Sequence, residues 1–179
     1  MSAPNIGSVF TRWGNGSAPA GTTLIYWGYG YGIFYADSGG NKPIVMNLGA
    51  TGPAATTNGN DLCPLTTYAV MPPGITARCY VKAAVCLSDA PVIEIWGTQT
   101  APVGWEVVYR GYAMGSQNSA HNPNGPICVD ADAFDASAVA PGTYESRLYG
   151  TRINTAVPGS GNTAATFVPC AVCKKSAGS

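Results

Sequence analysis

The sequence predicts an all-β protein built as two pseudo-repeated halves of short antiparallel strands, packed as one pseudo-twofold domain and supported by disulfides. Three observations carry this reading. Short β-branched and aromatic runs recur along the chain, bounded by Gly, Pro, Asn or Ser. Helix signals are nearly absent, with 23 Gly and 14 Pro among 179 residues. A twenty-residue phrase is written twice.

Nine runs read as strands. They are SVFTRW (8–13), TTLIYWGY (22–29), PIVMNL (43–48), ITARCYVKAAVC (75–86), PVIEIW (91–96), WEVVYRGY (105–112), GPICVD (125–130), SRLYGTRI (146–153) and ATFVPCAVC (165–173). In WEVVYRGY, alternation assigns Trp105, Val107 and Tyr109 to one face and Glu106, Val108 and Arg110 to the other. The Ala-rich stretch 130–140, stopped by Pro141-Gly142, is the one candidate helical turn. Three polar stretches, 49–61, 114–125 and 157–165, carry no apolar periodicity and read as loops.

The repeated phrase is WGNGSAPAGTTLIYWGYGYG (13–32) and WGTQTAPVGWEVVYRGYAMG (96–115). The offset is 83 without a gap, and nine of twenty positions are identical. Pro43-Ile44-Val45 and Pro126-Ile127-Cys128 keep that offset, while Ala-Val-Cys closes the halves at Cys86 and Cys173. Each half carries three cysteines. Ala-Pro-x-Gly reads as a turn in which Gly takes positive φ. The Gly of Tyr-x-Gly-Tyr lets a neighbouring backbone approach closely. The organisation is an N-terminal arm (1–7), a first half (8–89), a second half (90–174) and a tail (175–179).

Composition excludes several functions. Nine basic and nine acidic side chains make up only 10% of the chain. Nucleic acid would demand clustered Lys and Arg. A neutral, charge-poor surface instead favours association, either with copies of the chain or with a matrix. No run of 18 apolar residues exists to span a membrane, and residues 1–10 do not read as a signal peptide.

Chemistry-bearing residues are sparse. The only histidine, His121, falls in a polar loop, and no nucleophile elbow, phosphate-cradling loop or zinc-protease motif is present. The expectation is a protein that is not an enzyme and needs no metal or cofactor. Asp130, Asp132 and Asp135 lack the Gly and terminal Glu of a calcium loop, and read better as capping groups. Cys63, Cys79, Cys86, Cys128, Cys170 and Cys173 are disulfide candidates, with 15 pairings open. Cys170 and Cys173 also have the spacing of a zinc half-site, but no second such pair exists. Asn15-Gly16-Ser17 is a candidate N-glycosylation sequon, or a turn-forming Asn-Gly. Trp27, Tyr31 and Tyr35 belong to an aromatic stretch in which one row is a candidate binding or assembly surface.

The phrases VFTRWG, PVGWEVVYRGYAMG, PICVDADAF and VPCAVCKK resemble the C-terminal non-collagenous domain of short-chain, spongin-type collagens, over roughly 7–175. More distantly, the duplicated pattern is similar to the non-collagenous domain of basement-membrane collagen. The resemblance implies an extracellular β domain that drives assembly of filaments or networks. The chain departs from it in having Ala18, Ala101 and Val45 where the family has cysteine, and it has no Gly-X-Y tract. Ala18 and Val45 thus read as two ends of one lost disulfide, with the mate of Cys128 lying elsewhere.

The expected function is a structural self-assembly protein of an extracellular matrix, a filament or a particle surface such as a virion. Its expected partner is itself, with a matrix protein or glycan as a further candidate. The alternative is a lectin-like or adhesive module using the aromatics and polar loops.

Overall fold

A computed structural model describes residues 7–32, 42–48, 61–64, 71–77, 80–115, 125–137, 145–156, 158–159, 161 and 163–178, except the side chains of 61–63, 136, 137 and 145. The described chain is all-β, without a helix. The first half contributes β1 (Ser8–Trp13), β2 (Thr23–Tyr31), β3 (Ile44–Asn47), β4 (Asp61–Pro64) and β5 (Tyr80–Ser88). The second contributes β6 (Val92–Trp96), β7 (Trp105–Gly115), β8 (Ile127–Asp130), β9 (Ala136–Ser137), β10 (Glu145–Gly150) and β11 (Pro169–Lys175). All nine predicted runs contain strand. The short β4 and β9 were not predicted. Residues 130–137 form the end of β8, a bend and β9 in place of the expected helical turn.

Some strands of the two halves share their pairing registers: β1, β2, β3 and β5 with β6, β7, β8 and β11. β2 pairs antiparallel with β3 through Gly28↔Asn47 to Tyr31↔Ile44, and β7 pairs with β8 through Gly111↔Asp130 to Met114↔Ile127. Adding 83 to the first set gives the second. β5 lies between β1 and β2 as β11 lies between β6 and β7, now with an offset of 87: Phe10↔Cys86↔Leu24 matches Ile93↔Cys173↔Val107. Even an irregularity is shared. One extra residue, Ile25 or Val108, interrupts the ladder at the same point.

That bulge corrects the alternation read from WEVVYRGY. Val107 lies opposite Cys173 and Tyr109 opposite Val172, which are consecutive residues of β11. Val107 and Tyr109 therefore face opposite sides, and Glu106 joins the Tyr109 side opposite Lys174.

Repeated residues occupy repeated structural roles. Pro19 and Pro102 accept the hydrogen bonds that close their turns, from Thr22 N and Trp105 N, and Gly21 and Gly104 take φ of 72° and 79°. A Cβ on Gly28 would overlap the carbonyl oxygen of Met46, and one on Gly111 would overlap that of Val129. Both glycines are needed where a neighbouring strand crosses close above them.

Strands pair across the halves at three places, one of them the short antiparallel ladder Tyr80↔Ser137 and Val81↔Ala136 between β5 and β9. β1 pairs parallel with β8 at Trp13↔Val129, and β4 pairs parallel with β10, which also pairs with β7. These links close a barrel-like circuit, β4-β2-β5-β1-β8-β7-β10. Its core packs Trp13, Val81, Met114, Ile127, Val129 and Leu148 from both halves. A second cluster joins Tyr109, Cys128, Cys170 and Val172. No described helix is long and apolar enough to cross a membrane.

Candidate functional site

The β1–β8 junction is the best-built contact between halves. Arg12 donates from Nε and Nη2 to Oδ2 of Asp130, at 2.7 and 2.6 Å, with both side chains buried. The other carboxylate oxygen, Oδ1, accepts from the backbone N–H groups of Asp132 and Ala133 at 3.0 Å. Asp130 therefore caps the turn after β8, as its capping reading expected. Nearby, Gly14 accepts from Asp135 N at 2.7 Å, and Lys82 contacts both Asp135 carboxylate oxygens at 2.8–2.9 Å. The Tyr109 hydroxyl lies 3.0 Å from Thr11 O and 3.2 Å from Cys128 O. Burial drives that phenol well above its ordinary range, and the charges of Glu94 and Asp130 add to the rise.

Asn15 belongs to this junction. Its Oδ1 accepts from Ser17 N at 2.8 Å and from Ser17 Oγ at 2.6 Å, forming a side-chain turn. Its Nδ2 donates to Ala133 O at 2.6 Å, across to the second half. A glycan at Nδ2 would compete with that contact. Trp27 covers Gly16 of the same turn and is itself 37% exposed. Trp27, Tyr29 and Tyr80 form an edge-contacting aromatic row, with centroids 6.3 and 5.7 Å apart. Tyr31 is half-buried at the end of β2. Tyr35 and His121 lie outside the described residues.

The cysteines divide. Cys128 and Cys170 form a disulfide, with Cα atoms 5.9 Å apart, tying together the two strands that flank β7. Cys86 and Cys173 carry free, buried thiols, which departs from the expectation of full pairing. They hold equivalent places on β5 and β11, opposite Phe10 and Ile93. Burial raises both thiols above their ordinary range, with Arg12 and a Thr22 hydrogen bond opposing the rise at Cys86. The Cys63 side chain and Cys79 lie outside the described residues. In the first half, register places Val45 and Ala83 where Cys128 and Cys170 stand in the second. The counterpart of the disulfide is thus Val45 with Ala83, not Val45 with Ala18. The drift of offset from 83 to 87 carried this signal: it aligns Cys173 with Cys86 and leaves Cys128 and Cys170 as the second half's two cysteines without a cysteine counterpart.

The halves differ most in what covers them. Ile127 and Val129 of β8 are 9% and 0% exposed, because β1 and its Trp13 lie against them. Their counterparts on β3, Ile44 and Met46, are 57% and 42% exposed, and the following Leu48 is 52% exposed. Trp96, the counterpart of Trp13, is 41% exposed at the end of β6. Among the described residues no pairing joins β6 to β3. Val9, Leu24, Ile25, Trp27 and Leu87 are exposed as well, so among the described residues eight of the ten exposed large apolar side chains belong to the first half. These uncovered strands, missed by sequence reasoning apart from Trp27, form the candidate site. No family model matches the chain, and no curated protein matches it.

Proposed function

We propose that this protein is a non-enzymatic structural building block that assembles with copies of itself through the uncovered apolar face of its first half. The observation that carries this reading is the asymmetry between β3 and β8. The same strand, in the same register, is buried in one half and exposed in the other. An apolar surface of this kind marks an interaction site. β6 ends the sheet path, and an edge strand with an apolar neighbour is a template for further pairing. The zero net charge removes the repulsion that would keep copies apart. The resemblance to spongin-type non-collagenous domains supports the same reading and an extracellular matrix, filament or particle-surface setting.

Size-exclusion chromatography with light scattering tests it. The wild type is expected to elute as oligomers or polymers. Ile44→Lys with Met46→Lys should return it to monomer, while Val103→Lys, at a fully exposed turn in the second half, should not. A wild type that stays monomeric at high micromolar concentration would refute the reading. A second reading, a lectin-like or adhesive module, is favoured by the Trp27–Tyr29–Tyr80 row beside the polar Asn15–Ser17 turn. Glycan-array binding lost in Trp27→Ala would select it.

A further inference from the structure

Eight strands pair in one unbroken path, β3-β2-β5-β1-β8-β7-β11-β6. Three kinds of pairing along it are made in both halves: β2–β3 with β7–β8, β2–β5 with β7–β11, and β1–β5 with β6–β11. The fourth kind, β1–β8, is made once. Its counterpart would join β6 to β3, the two ends of the path. Adding 83 to Trp13 and subtracting 83 from Val129 puts that contact at Trp96 and Met46. Made within one chain, it closes the path into a ring, so that neither strand ends a sheet.

The two ends lie near each other. Lys42 and Pro43, which lead into β3, line the same cleft of about 480 Å³ as Val92, Ile93 and Glu94 of β6. Lys42 and Glu94 are exposed and opposite in charge, while their counterparts at the β1–β8 junction, Gly125 and Thr11, are uncharged. Ile44, Met46 and Trp96 are exposed, and their counterparts Ile127, Val129 and Trp13 are buried where the pairing is made. The ion pair that fastens β1 to β8 is not repeated: Ile95 and Asn47 stand in the places of Arg12 and Asp130. The seam between β3 and β6 therefore has only apolar contact and a weak surface charge pair to close it, and it stands open in this structure.

We propose that β3 and β6 of one chain pair in parallel through Met46 and Trp96, an autoinhibitory closure that hides the assembly face. The inference rests on the assembly reading for its consequence, because the closed seam covers Ile44 and Met46, through which copies would join. Closure and assembly compete for one surface, and the affinity between copies falls in proportion to the fraction of chains that stand open.

Two variants test it. Met46→Cys with Trp96→Cys, oxidised at low micromolar concentration, is expected to form a bond between positions 46 and 96 of the same chain, found by non-reducing mass mapping. Ile95→Arg with Asn47→Asp copies the ion pair of the other junction into the seam. It is expected to raise the melting temperature, which separates closure from loss of fold. It should also raise the concentration needed for assembly about tenfold, as closure of about nine chains in ten requires. A bond found only between chains, or no bond after full oxidation, would overturn the proposal. So would a lower melting temperature, or a charged variant that assembles at the wild-type concentration or below it, since the new ion pair would then be joining copies. A wild type that stays monomeric while the within-chain bond forms would support the pairing and sink the assembly reading alone.

Discussion

A double substitution, Val45→Cys with Ala83→Cys, should create a second disulfide in the first half. The native Cys128–Cys170 bond joins strands on either side of β7, opposite Ala113 and Gly111. Val45 and Ala83 lie opposite Gly30 and Gly28 on either side of β2, the matching positions. The loop closed would span 38 positions (83 − 45), against 42 for the native bond. Loop-closure entropy for a loop of that length corresponds to about 4 kcal/mol of stabilisation. For a chain of this size that is a rise in melting temperature of roughly 8–16 °C. Mass mapping under non-reducing conditions should find the new bond, and melting with and without reductant should show the shift and its reversal. Two thiols that stay free under oxidising conditions would refute the equivalence of the halves at this position.

Three other outcomes follow from the same structure. Gly28→Ala and Gly111→Ala should each cost about 3 kcal/mol in denaturant titration, since each Cβ meets a carbonyl oxygen of a paired strand; Gly125→Ala, where nothing lies nearby, should cost little. Arg12→Ala should cost about 3–5 kcal/mol, because it leaves the Asp130 carboxylate buried without its partner. The free thiols set a pH dependence: both are raised in the folded state. Stability should hold below the ordinary thiol range near about 8.5 and fall as pH rises from there toward the higher folded values, because unfolding then releases protons. Cys86→Ala with Cys173→Ala should flatten that fall in urea titrations at pH 7 to 10, and an unchanged slope would count against it.

Much of the fold was legible because its signals are local. A β-branched run between Gly and Pro reads as a strand wherever it occurs, and the Pro-x-Gly turns recur with the same hydrogen bond. The glycine of Tyr-x-Gly-Tyr announced a close backbone approach, found at Gly28 and at Gly111. Other features depend on pairings that no short window contains. The bulge at Val108 arises only where β7 meets β11, and it reverses the faces that alternation assigned. Asp130 looked like the start of an Ala-rich helical turn, but its carboxylate is held by Arg12, 118 positions earlier, and caps a bend. The candidate assembly face was hidden for a related reason. Ile44-Val45-Met46 and Ile127-Cys128-Val129 are similar strings, and only the placement of β1 buries one and leaves the other exposed.

Hydrogen–deuterium exchange of the wild type at low and high protein concentration tests the assembly account most directly. Amides of residues 24–27 and 44–48 should gain protection as concentration rises, while those of 127–130, already covered within the chain, should not change. Exchange that is independent of concentration throughout the first half would contradict the account.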